Sequence, residues 1–342
     1  MNTNIHNLIK SEYEKRQKAS IDELARRRSE IFLKIPMIQD MEDEMHCLGI
    51  KYSRMILSTG NTSDETIHEL SAMMRRMVAE KERLLIREGY PVSYLDIAHQ
   101  CPLCKDTGIV EEDDGPRRCF CYNQLLLNHL YNQSNVKLVE AENFSKFDES
   151  YYPDIVDELK YDVKKSPREN ILGIKDKCMQ FIENFSSPEE KNLYFCGSTG
   201  VGKTFMANCI AAELMSRGKT VLYQSASLLF DTISEYKMKA FRDDNFEISF
   251  YKNIFEAELL IIDDLGTESQ SSARYGELLN ILNTRYSNNL SRPCKTIIST
   301  NIEPEKLFER YTERVESRII GNFAMYKFAG KDIRKIKRQK VK

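Results

Sequence analysis

Thirteen residues constrain this chain more than any others: Asn192 to Thr204, reading Asn-Leu-Tyr-Phe-Cys-Gly-Ser-Thr-Gly-Val-Gly-Lys-Thr. The apolar run from Leu193 to Cys196 predicts a buried strand, and it leads straight into a G-x-x-x-x-G-K-T loop. Gly197, Gly200 and Gly202 free the backbone, so the N–H groups of the stretch through Ser198, Thr199 and Val201 can wrap phosphates. Lys203 then meets the β and γ phosphates, and the Thr204 hydroxyl ligates Mg²⁺. The residues that follow are helix-forming and closed by Gly218, so a bound anion lies at a helix N-terminus. A glycine-rich turn matching by chance would lack the strand before, the helix after and the acidic strand downstream. The stretch predicts a site for a nucleoside triphosphate, ATP, with Mg²⁺.

At 342 residues the chain has room for two domains, or for one domain with an extension. A net charge of −2 excludes a globally basic nucleic-acid coat, so any DNA contact must be a local patch. No apolar run approaches a membrane span and the N-terminus lacks a secretory apolar segment, which predicts a cytoplasmic protein with no membrane partner and reduced thiols. Nine cysteines then argue for metal or plain burial rather than disulfides.

Residues 1–95 are charged and nearly free of glycine, which predicts a helical, coiled-coil-like arm. Ser20-Ile-Asp-Glu23 is a capping-box pattern that predicts a helix restart, and Pro36 breaks the run after Ile35. A second helix passes through Met37, Met41, Met45 and Leu48, with a loop over residues 58–64. A further box at Thr62–Glu65 opens a third helix carrying Ile67, Leu70, Met73, Met77 and Leu84. Such a stripe packs helices on each other, offers a Met-rich face to a partner, or does both. Residues 96–130 read as a metal-binding segment with turns at Asp106-Thr-Gly and Asp113-Asp-Gly. Residues 131–175 read as a linker leading into the core, anchored by Phe144, Phe147, Tyr151 and Tyr152. Strands and helices alternate through a core at 176–336, the pattern of a parallel sheet covered on both faces, and 337–342 is a basic tail.

Cys101-Pro-Leu-Cys104 forms a knuckle that can aim two thiolates at one metal, and Cys119-Phe-Cys121, after fourteen intervening residues, can complete a tetrahedron around Zn²⁺. Four thiolates make a closed structural site, which folds a segment too short to bury its own core. A redox reading of Cys101 and Cys104 lacks the surrounding βαβ pattern. His99 and His129 lie nearby as spare ligands, but each reads first as a surface or packing residue. Cys47, Cys178, Cys196, Cys209 and Cys294 read as small apolar residues.

Leu259-Leu-Ile-Ile-Asp263-Asp264 predicts a buried strand that ends in two carboxylates. Asp263 can hold Mg²⁺ through water and Asp264 can polarise an attacking water. A strict strand points adjacent side chains to opposite faces, which gives the two acids separate roles. Glu268 is a rival base. Cys294 to Asn301 repeats the design, placing Asn301 beside the γ-phosphate. Its alternative is an N-cap for the segment opening at Glu303-Pro304.

Together with Glu313-Arg-Val-Glu-Ser-Arg318, these motifs resemble the AAA+ core of the DnaC/DnaI helicase loaders, whose clade includes the IstB-type transposition helper ATPases. The resemblance covers residues 140–336, and the arm with its cysteine segment is similar to the longer loaders of Gram-positive bacteria and their phages. It implies an α/β fold with a five-stranded parallel sheet, a small zinc ribbon before it, and a reduced lid after the strand Ala324 to Phe328. It places Arg318 as an arginine finger serving a neighbouring subunit, with Arg314 one turn earlier as its confounder, and Arg334 as a second sensor arginine. Self-assembly with ATP and a weak, partner-dependent ATPase follow.

Between the second and third core strands, Lys237, Lys239, Phe241 and Arg242 interleave charge with aromatics, followed by Phe246, Phe250, Tyr251 and Lys252. This suits single-stranded DNA, where bases stack and phosphates pair. An amphipathic helix with its aromatics in the core explains the same residues. Three functions compete: a loader that binds a hexameric replicative helicase through the arm and deposits it on single strands, a transposition helper, and a nucleotide-switched adaptor. Residues 1–125 argue against the helper, and Asp263, Asp264 and Arg318 argue against an inert adaptor.

Overall fold

Pro36 sets the first boundary, because it has no N–H to leave unpaired at the start of a helix. The computed structural model describes residues 2–59, 64–112, 115–130, 142–242 and 249–340, and the chain divides into two units, residues 1–119 and 120–342. In the first unit α1 (Asn2–Lys34) is continuous, α2 (Pro36–Thr59) opens on Pro36, and α3 (Asp64–Arg87) packs on α2. Ile31, Ile35 and Ile38 keep helical spacing across the proline and form a buried cluster with Leu84, Leu85 and Leu95. Leu84 and Met41 of the predicted stripe meet this cluster, and the phase corrects the rest of it. Met37 and Met73 are exposed, and Ile38 and Leu85 take the interior instead.

The helix restart at Ser20 is also corrected. Ser20 is buried in mid-helix and its hydroxyl donates to the Ala98 carbonyl (2.8 Å), so a tertiary acceptor claims the side chain that would have capped. Helix α2 runs on to Thr59 where a loop was expected from residue 58, and Thr62 of the second box lies outside the described residues. A short antiparallel hairpin, β1 (Ile109–Glu112) and β2 (Gly115–Arg118), follows; Asp113 and Asp114 of its turn lie outside the described residues.

The second unit begins earlier than the sequence reading placed it. In α4 (Phe120–Leu130) the Gln124 amide donates to the Val221 carbonyl (2.9 Å) and accepts from its N–H (2.8 Å), and Leu127 joins the core. Tyr152 and the helix Pro167–Glu183 belong to the core as well, so neither a metal segment ending at 130 nor a core starting at 176 matches the packing. The strands are β3 (Asn192–Gly197), β4 (Val221–Ser225), β5 (Leu259–Leu265), β6 (Lys295–Thr300) and β7 (Phe323–Phe328). All pair in parallel in the order β4-β5-β6-β3-β7.

Alternation along the strands divides the core. Leu222, Leu260, Ile262 and Ile298 face one side, with Leu229 and Phe230 of the helix Ala226–Arg242 and Leu278 of the helix Ser272–Asn289. Leu193, Phe195, Ile261 and Ile297 face the other, with Ile171 and Phe181 of the helix Pro167–Glu183 and Met206 and Ile210 of the helix Lys203–Ser216. After β7 the helix Ile333–Lys340 follows among the described residues. This order sets the C-terminal ends of β5, β6 and β3 side by side, the place where open parallel sheets bind ligands.

Candidate nucleotide site

The phosphate loop is shaped by two glycines that nothing else replaces. Gly197 has φ 133°, and a Cβ there would stand 2.3 Å from the Phe328 carbonyl oxygen. Gly202 has φ 100°, and a Cβ would stand 2.4 Å from the Tyr152 hydroxyl. Lys203, the first residue of the next helix, is buried. Its Nζ donates to the carbonyls of Gly197 and Ser198 (both 2.8 Å) and to Asn301 Oδ1 (2.9 Å). Burial lowers the lysine's pKa, and Asp264 and Asp263 oppose that shift. Asn301 therefore faces Lys203 across the loop. It does not cap the turn Pro304–Lys306, whose N-cap is Glu303.

Asp263 is buried at the end of β5 and is held by three donors. Thr204 Oγ1 donates to its carboxylate (3.1 Å to Oδ2), the Tyr223 hydroxyl donates to Oδ2, and the Asp264 N–H donates to Oδ1 (3.0 Å). Burial pushes the Tyr223 phenol well above its usual pKa, so this hydroxyl keeps its proton. Asp264 departs from the strand alternation assumed above. It has φ 54° and lies in a bulge between Ile262 and Leu265, where β5 takes three steps against two on β6. The bulge brings Asp264 into the same cleft as Lys203. Its carboxyl pKa is raised, first by desolvation and then by Asp263, against the pull of Lys203 and Arg334.

The cleft measures about 230 Å³ and is lined by Lys203, Thr204, Asp264, Asn301 and Arg334. Phe147, Tyr151, Tyr152, Ile333 and Lys337 line it too. Sequence reading found the aromatics at 144–152 only as anchors, and it missed Ile333, Lys337 and Tyr223. A polar-tipped aromatic inside an apolar strand was the one available signal for Tyr223. Glu268 lies elsewhere. It is buried, accepts the Gly266 N–H (2.7 Å) and the Tyr311 hydroxyl, and so braces the loop after β5. Both its oxygens accept from groups outside the cleft, which Glu268 does not line.

Arg318 and Arg314 are exposed on the helix Glu313–Asn322, beside its buried face of Val315 and Ile319, and neither lines the cleft. Of the candidate DNA contacts, Lys237 pairs with Glu277. The side chains of Lys239, Phe241, Arg242 and Phe250, and the whole of Phe246, lie outside what the structure describes. Tyr236 is buried and stacks on Tyr251 (4.9 Å between centroids, 7°), and Lys252 pairs with Glu256 (3.2 Å). These aromatics pack the core.

Cys101, Cys104, Cys119 and Cys121 are buried with their sulfurs all within 4.8 Å of one another. The Cys101 and Cys119 sulfurs are 3.7 Å apart, close to the ~3.8 Å edge of a tetrahedron with Zn–S bonds of about 2.3 Å. The Gly108 N–H points at Cys104 Sγ (3.3 Å). Asp106, fully buried, accepts the N–H groups of Gln100 (2.8 Å) and Cys101 (2.9 Å) and fixes the knuckle. The donor set fits zinc. His99 lies 3.5 Å from Asp106 and stands outside the cluster. Of the other five cysteines four are buried, as expected, and Cys47 is exposed on α2, which corrects its reading as an interior residue. Among the described residues no helix is long and apolar enough to cross a membrane.

Comparison with known proteins places this geometry. The profile of the IstB-like ATP binding protein family matches residues 125–309, more than half of the chain. The replicative helicase loader DnaC of Escherichia coli K12 is 28% identical over 155 residues, 45% of this chain and 60% of that protein. The replicative helicase loader DnaI of Bacillus subtilis 168 is 29% identical over 142 residues, 41% of this chain and 43% of that protein. A protein of Sinorhizobium fredii described as an insertion sequence ATP-binding protein is 27% identical over 154 residues, 44% of this chain and 59% of its own length. The chain thus spans less than two thirds of the length of each of these relatives. A crystal structure of the DnaC helicase loader superposes with a TM-score of 0.42 at 26% identity, covering 56% of this chain and 99% of that one. On its sheet order, its phosphate loop and the family match, the chain belongs to the IstB-like ATP-binding protein family, within the AAA+ clade of DnaC and DnaI.

Proposed function

We propose that this protein is an ATPase that binds a hexameric replicative helicase and loads it onto single-stranded DNA, with ATP binding and hydrolysis timing release. One observation carries the choice of loader over transposition helper: a three-helix arm and a four-cysteine segment precede the family core. In the cleft, the loop from Gly197 to Thr204 holds the phosphates, Lys203 meets the β and γ oxygens, and Asn301 and Arg334 flank the γ position. Asp264, whose carboxyl pKa is raised by desolvation and by Asp263 against the pull of Lys203 and Arg334, accepts a hydrogen bond from the attacking water. Thr204 and Asp263 would hold Mg²⁺, which neutralises charge on the phosphates. The products are ADP and phosphate. Phe147, Tyr151 and Ile333 offer an apolar wall to a nucleobase.

Purified full-length protein mixed with a hexameric replicative helicase should elute as a stoichiometric complex in size-exclusion chromatography. A helicase from the same cell that never co-elutes, with or without ATP, sinks the loader reading in favour of the helper.

The cysteine cluster is assigned to structural zinc. Elemental analysis should find close to one zinc per chain after expression in zinc-replete medium. Cys101→Ser should release it and loosen the knuckle, read as new protease sites near residues 96–121, with the nucleotide cleft still binding ATP. Wild-type protein without zinc ends this assignment.

A further inference from the structure

Among the described residues, Tyr223 is the one side chain bonded to Asp263 that the phosphate loop does not supply. We propose that Tyr223 is a positioning residue for the divalent cation, setting the rotation of the Asp263 carboxylate. The inference rests on the reading of Asp263 as the carboxylate that holds Mg²⁺.

The argument begins with lone pairs. A carboxylate offers about four acceptor sites, two on each oxygen. Oδ2 accepts from Tyr223, the Thr204 hydroxyl lies between both oxygens (3.1 Å to Oδ2, 3.3 Å to Oδ1), and Oδ1 accepts the Asp264 N–H (3.0 Å). Once Thr204 turns to a metal a site on Oδ1 is free, and a metal-bound water needs a single acceptor. Thr204 comes from the loop and Asp264 from the bulge, and both are elements that a nucleotide touches. Tyr223 alone comes from β4, a strand whose neighbour is β5 itself, with Tyr223 opposite Ile261 and Ser225 opposite Asp263. It is 4% exposed and packed among Val221, Met206 and Ile261, so its hydroxyl cannot swing away. A fixed donor on Oδ2 prevents the carboxylate from turning that oxygen outward when Thr204 gives its lone pair to a metal.

The test is binding, read without turnover. Titrating Mg²⁺ into protein with a non-hydrolysable fluorescent ATP analogue gives a metal half-saturation for each variant. Tyr223→Phe keeps the ring and removes the donor. Its half-saturation should rise roughly tenfold, the loss expected of one hydrogen bond to a charged acceptor, while its affinity measured in EDTA moves far less. A merely structural tyrosine would lower thermal stability and weaken both affinities together.

A second comparison holds if Tyr223→Phe folds poorly. In an Asp263→Asn background the amide no longer needs a charged partner, so adding Tyr223→Phe should leave analogue affinity unchanged at every Mg²⁺ concentration. Equal losses in both backgrounds overturn the proposal, as does a Tyr223→Phe titration that overlays the wild type. Wild-type binding that ignores Mg²⁺ altogether removes the cation reading of Asp263, and the role of Tyr223 falls with it.

Discussion

Lys203→Ala should bind ATP about a hundredfold more weakly than the wild type, a loss of roughly 3 kcal/mol from one charge-assisted contact with phosphate. Lys203 is buried and its three present acceptors are two loop carbonyls and Asn301. Phosphate oxygens carry charge and accept more strongly than carbonyls do, so exchange of partners favours the bound state. The substitution also leaves Gly197 and Ser198 carbonyls without their donor, and the loop should lose some order. Lys203→Arg separates these effects. It keeps the charge but presents a wider, planar head to a site built for a point cation, and it should recover little affinity. Equilibrium titration with a fluorescent ATP analogue measures all three proteins. Binding by Lys203→Ala that matches the wild type would show that the nucleotide lies elsewhere.

The loop, the acid-ended strand β5 and the strand that leads into Asn301 were legible in the sequence because their chemistry is local. Spacing within eight or nine residues determines where Lys203, Thr204, Asp263 and Asn301 lie. What failed to show there depends on partners far along the chain. Ser20 reads as a cap until Ala98 takes its hydroxyl. Glu268 reads as a base until Tyr311 and Gly266 occupy its carboxylate. The separate roles of Asp263 and Asp264 were argued from ideal strand alternation, and the structure separates the two acids by a left-handed residue in a bulge instead. No residue pattern announces such a bulge when the residue in it is not glycine. The wall of the cleft is the largest omission. Phe147, Tyr151 and Tyr152 come from before the first core strand and Ile333 from after the last, and Ile333 donates its N–H to the Gly200 carbonyl (2.9 Å). Both ends of the second unit close over a loop in its middle, and only tertiary structure reveals that.

The same helix register that buries Val315 and Ile319 leaves Arg314 and Arg318 exposed, and neither lines the cleft of its own chain. The root of that helix is firm. Thr312 caps it by accepting the Val315 N–H (3.4 Å), and Tyr311 just before it is tied to Glu268 in the loop that follows Asp263 and Asp264. Arg318 is thus an exposed cation on a helix whose start is anchored, which suits a finger that enters a neighbour's cleft. Arg318→Ala should bind ATP almost as the wild type does and lose assembly-dependent hydrolysis by on the order of 10³-fold. Mixing gives the sharper measurement. Arg318→Ala retains a working phosphate loop and Lys203→Ala retains a working finger, so assemblies containing both should regain part of the activity that each lacks alone. Co-assembly without any regained phosphate release would exclude Arg318 as a trans-acting group. The same mixing experiment with Arg314→Ala would then identify the finger, since it is the other arginine on the exposed face of this helix.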